Sequence, residues 1–121
     1  MQHFILDAER RVIAVELSAW SRWVRAGGHL EIARTEVRHL LVLTSFAGID
    51  LSFGEGRPAF FETRVLDVGD ELECLTSVTL EQAVDLHSDV TGRWRDRADA
   101  AWIATRRAVA RHSASDSRRS T

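Results

Sequence analysis

LTSFAGIDLSFGEGRPAFFET, residues 43–63, decides the fold, because it sets a glycine-rich acidic loop between two apolar, strand-like blocks. Before the loop, His39 to Ile49 packs Leu40, Leu41, Val42, Leu43 and Phe46 into one dense run. Its β-branched flanks and Gly48 favour a strand over a buried helix, and apolar residues at successive positions imply a strand covered on both faces. After the loop, Ala59 to Val68 alternates Phe61, Thr63 and Val65 with Phe60, Glu62 and Arg64, so one face of that strand carries the charges. The two strands and their loop predict a hairpin.

Further strands flank this unit. Glu71 to Val78 follows through a turn at Gly69 and Asp70, and on the other side Leu30, Ile32 and Ala33 lead into RTEV. At the start, His3 to Leu6 and Arg11 to Val15 are β-prone runs around the polar DAER, the pattern of a second hairpin. Between them and the centre, Leu17, Trp20 and Val24 recur at helical spacing beside Trp23, and Gly27 and Gly28 supply a helix stop. Thr79 and Gln82 have the form of a capping box, which predicts a long helix from there to about Arg111. Leu80, Val84, His87, Thr91, Trp94, Ala98, Trp102 and Val109 fall along its stripe, and Gly92 is the expected kink or break. The reading is a single α+β domain over residues 1–111, an antiparallel sheet of five or six strands with one short and one long helix, followed by a disordered polar tail at 112–121.

Composition bounds the class. In 121 residues, 45% apolar and 28% charged, there is enough hydrophobic material for one core and none of the signature of overall disorder. No apolar stretch approaches the roughly 20 residues of a bilayer span, and the start lacks a basic segment leading into an apolar one. A soluble, cytoplasmic protein is expected. Cys74 is the only cysteine, so no internal disulfide and no thiolate metal cluster is available, and no cofactor is called for. All 16 basic residues are Arg. They are unevenly placed: residues 1–92 hold 8 Arg against 15 acidic groups, while 93–121 hold 8 Arg against 3. That asymmetry favours intramolecular docking, self-association or an anionic partner.

The succession ILDAERRVIAVELSAWSRWV, IARTEV, VLTSFAGIDLSFGEGRPAFFETRV and TLEQAVDLH resembles a family of short proteins encoded by tailed phages and prophages of high-GC hosts. The resemblance covers about residues 5–95. It is most specific in the strand, loop and strand, at Gly48, Asp50, Phe53, Gly54, Gly56, Pro58, Phe61, Glu62 and Thr63. Members of that family usually carry His or Asn after the matched aspartate, where this chain has Leu51, and tend to have Met at the place of Arg64 and Trp at that of Leu80. The resemblance implies a phage or prophage origin and an accessory role, with no reaction attached.

Several groups are candidates for chemistry. Asp50, Glu62 and His87 are the residues for an acid, base or metal site of a small hydrolase or nuclease, although the chain has no HExxH, EF-hand or zinc-type spacing. Read structurally, Asp50 caps the turn after a strand, Glu62 lies on a solvated face and His87 is a hydrogen-bonded core residue. The glycines Gly54 and Gly56, with Arg57 at the loop tip and Arg64 on the next strand, form a candidate clamp for a small anionic ligand. RWRDR at 93–97 with Arg106, Arg107 and Arg111 invites nucleic acid, but Asp96 and Asp99 dilute the patch. Trp94 and Trp102, with alanines on one helix face, suit self-packing into a homodimer or larger oligomer. The leading expectation is a non-enzymatic accessory protein that binds a host protein or a small anionic ligand, as in counter-defence. A metal-dependent hydrolase and a phage structural or assembly component are the alternatives.

Overall fold

The computed structural model describes the backbone of residues 1–28 and 30–119 and the side chains of 1–28 and 30–112. Six strands and two helices follow in the order β1 (His3–Leu6), β2 (Val12–Val15), α1 (Leu17–Arg25), β3 (Glu31–Val37), β4 (Leu40–Phe46), β5 (Phe61–Asp67), β6 (Asp70–Ser77) and α2 (Leu80–Arg119). β1 and β2 pair as a two-stranded antiparallel sheet, and β3-β4-β5-β6 form an antiparallel meander. The fold is α+β, with α2 laid across all four strands of the larger sheet.

The register explains the core. Val42 faces Thr35 on β3 and Val65 on β5, so residues at every second position converge on one face under α2. There Val37, Leu40, Val42 and Val65 meet Val90, Trp94 and Ala98 of the helix. A fully buried side chain of this kind contributes about 1.5–3 kcal/mol. A second cluster, Phe46, Phe60, Phe61 and Ala83, lies where the hairpin and α1 join the sheet. Trp23 meets Phe46 edge-on at 5.8 Å, Phe46 lies 5.3 Å from Phe61, and Phe4 lies 4.6 Å from Phe60. A two-stranded hairpin is marginal by itself; this one is fastened by that aromatic contact and by the Phe4 N–H, which donates to the Gly48 carbonyl at 2.9 Å. Gly48 has φ of 75°, and a side chain there would collide with Trp20, so the close approach requires glycine.

Local signals set the helix ends. The Gln82 carboxamide accepts from the Val78 and Thr79 amides while the Thr79 hydroxyl accepts from the Gln82 amide, a closed capping box at the start of α2. α1 stops where Gly27 turns to positive φ and the Gly28 amide returns to the Trp23 carbonyl.

Two expectations change. α2 is not broken at Gly92: it continues as one helix of 40 residues, because Val90, Thr91 and Trp94 on either side are buried against the sheet and outweigh a propensity cost of about 1 kcal/mol. Past the expected end near Arg111 the backbone stays helical to Arg119; of the polar segment 112–121, residues 120 and 121 lie outside the described ones. The dense run of β4 also does not mean two covered faces. Leu40, Val42, Thr44 and Phe46 are buried, whereas Leu41, Leu43 and Ser45 are half-buried on a face that no helix covers.

Candidate functional site

The three residues expected to form an acid, base or metal site stand in three different places. His87 lies under α2 on the covered face of the sheet. Its Nδ1 is 2.7 Å from the Thr44 hydroxyl, its Nε2 is 2.9 Å from the Thr35 hydroxyl, and Thr44 passes the chain on to Thr63 at 2.8 Å. A neutral imidazole has one donor and one acceptor, and both are engaged. Burial pushes the His87 pKa below its ordinary value, which favours the neutral ring, and both of its nitrogens are already engaged. The histidine is a polar rivet between helix and sheet.

Asp50 follows β4 in the loop. One carboxylate oxygen accepts from the Ser52 amide at 2.9 Å and the Ala59 amide at 3.0 Å, clamping both ends of the loop. The Ala59 and Ser52 amides hold its carboxyl below the usual carboxylate range. The loop closes further through Ala47 N–H to Phe60 O and Leu51 N–H to Ala59 O. Gly54 and Gly56 both have positive φ with open space around them, and Phe53, also at positive φ, is 70% exposed at the tip. These are turn residues of a loop shaped by Asp50.

Glu62 points to the uncovered face, opposite to the Thr63 and His87 network, because neighbours along a strand alternate. Arg64 shares that face at 3.8 Å from Glu62. Arg57 stays exposed in the loop, and Arg64 sits mid-strand opposite Leu43 and Cys74, so the two arginines of the expected anion clamp occupy separate regions.

Sequence reasoning missed the company that Glu62 keeps. Strict alternation groups Glu71 with Glu73, but a bulge in β6 pairs Leu66 with Glu71 and Val65 with Glu73 and turns Glu71 onto the face of Cys74. Glu62, Glu71 and Cys74 then bring ligand atoms within 4.8 Å of one another. Burial first, then the hydrogen bond and charge of Glu62, push the Cys74 thiol up to about 12, so it remains a donor, 3.2 Å from Glu62, with Arg64 nearby.

The basic helix is partly spent within the molecule. Arg93 grips Glu73 with two hydrogen bonds of 2.8 and 2.6 Å, which together with the Trp94 indole N–H holds the Glu73 carboxyl down. Arg97 stacks over Trp94 at 4.4 Å. Trp94 itself is 9% exposed, part of the chain's own core, and so not open to a partner. Trp102 differs: it is 48% exposed, with Arg38 over its ring at 5.2 Å. Arg38, in the β3–β4 turn, also holds Asp99 at 2.8 Å, and there the helix leaves the sheet. Every residue from 100 to 112 is exposed. Among the described residues no helix is long and apolar enough to cross a membrane. No family model, curated protein or solved structure matches the chain.

Proposed function

We propose that the protein is a non-enzymatic binding protein that works as a homodimer, its two copies joined along the projecting half of α2. This fits the accessory role that the phage-family resemblance implies. The observation that carries the reading is that α2 remains helical over residues 100–112 although every one of them is exposed. An isolated helix of that length is marginal in water; this segment continues the packed half, and a partner along its exposed stripe would stabilise it further.

The projecting half is built for a second copy. Trp102, Thr105 and Val109 continue the line of Val90, Trp94 and Ala98 that packs on the sheet. Thr105 donates its hydroxyl to the Ala101 carbonyl at 2.9 Å, which leaves its methyl group to the stripe. Arg106, Arg107 and Arg111 flank the stripe, and the acidic excess of residues 1–92 offers them complementary charge on the other copy. The hydrolase reading has no comparable support, since Asp50, Glu62 and His87 do not converge.

Sedimentation of the full chain tests this. A concentration-dependent dimer is expected, and Val109→Glu, at a position 60% exposed, should yield monomers whose backbone amides before residue 99 keep their hydrogen-exchange protection. A wild-type particle that stays monomeric at high concentration would sink the proposal.

A further inference from the structure

At the opposite end of α2, a cavity of about 640 Å³ opens between the β1–β2 hairpin, α1 and Leu80. Ile5, Leu6, Trp23, Ile32 and Leu80 supply apolar walls. The volume falls in the range of small-molecule sites, which pair apolar walls with a few placed polar groups. The Trp23 wall is fixed: Gly28 closes over the indole so tightly that a Cβ there would collide with the ring.

Three charged residues stand at its rim, Asp7, Arg10 and Glu31. Two are already satisfied. Asp7 accepts from the Glu9 amide at 3.0 Å, the Arg11 amide at 2.8 Å and the Arg11 side chain at 3.2 Å, and Glu31 accepts from Arg34 at 2.9 Å. Arg10 has no ion pair among the described residues. Its backbone is pinned at φ of 63°, with its amide donating to the Asp7 carbonyl at 2.9 Å. A second groove shares Arg10 and Leu80 with the first.

We infer that this cavity binds a small anion with an apolar body, such as a medium-chain carboxylate, whose head is taken by Arg10 and whose chain lies against Trp23, Ile32 and Leu80. A guanidinium grips a carboxylate with two parallel hydrogen bonds, and the apolar walls gain from each methylene removed from water. The inference is independent of the dimer, because it uses the other end of the helix.

Isothermal titration of the full chain with decanoate, decanol and decyltrimethylammonium tests it. Decanoate should bind most tightly. Arg10→Gly suits the positive φ of the turn and removes the guanidinium with its side chain, so it should weaken decanoate about tenfold while the melting temperature holds. Gly28→Ala should also weaken it by displacing the Trp23 wall, and Arg57→Ala should leave it unchanged. Decanol or the ammonium binding as tightly as decanoate, equal decanoate affinity in Arg10→Gly, or no uptake of decanoate by the wild type would each overturn the inference.

Discussion

The two halves of α2 share one backbone and lead opposite lives. From Leu80 to Ala98 the helix is stitched to the sheet by Ala83, His87, Val90 and Trp94 and by the Arg93–Glu73 pair; from Ala100 to His112 every residue is exposed. The same pattern of apolar residues at helical spacing runs through both. Periodicity therefore says that a face wants covering, and only the length of the sheet says where the cover stops. Seven-residue strands span about 23 Å, whereas 40 helical residues span about 60 Å.

Substitutions on the two halves should expose the contrast. The largest effect is expected from Trp94→Ala, which opens a cavity beneath the packed half and should cost about 3–5 kcal/mol in denaturant unfolding. Next, His87→Ala leaves the Thr35 and Thr44 hydroxyls short of a partner and should cost about 1–3 kcal/mol. His87 also gives the packed half a pH dependence. Its folded pKa lies below the unfolded 6.5, so the unfolded state takes up the proton more readily. Stability should be full above the unfolded value and fall as the pH drops through it towards the folded one; His87→Gln should lose that slope.

Smaller still, Gly92→Ala places a methyl group in open space within the helix and should raise stability by about 0.5–1 kcal/mol, seen as a higher melting temperature. The smallest effect on the unfolding of the monomer, within about 0.5 kcal/mol, is expected from Trp102→Ala. A loss as large as that of Trp94→Ala would mean that the two halves are not distinct.

Much of the architecture was legible in the residues. Thr79 and Gln82 announce the start of α2, Gly27 the end of α1, and the alternation of Phe61, Thr63 and Val65 the buried face of β5. Propensity misled at Gly92, where tertiary packing on both sides carries the helix through. The functional residues were harder to read. His87 showed as a core residue from its place on the apolar stripe, yet the Thr35 and Thr44 hydroxyls that bind it, and the Thr63 hydroxyl that extends the chain from Thr44, come from three strands whose register no local pattern reveals. The bulge that turns Glu71 beside Cys74 and the cavity that Arg10 and Trp23 both line are likewise products of pairing and packing. Arg57 and Arg64 have only six residues between them, but one lies in the loop that Asp50 clamps and the other midway along β5.

The clasp of Arg38 on Asp99 and Trp102 also sets a boundary for local opening. Beyond it, backbone amides of an undimerised chain are guarded only by the hydrogen bonds of one helix, so they should exchange with deuterium far sooner than those before it. Trypsin should likewise cut first at Arg106, Arg107 and Arg111 and leave the body intact, and a partner laid along the helix would conceal those same bonds.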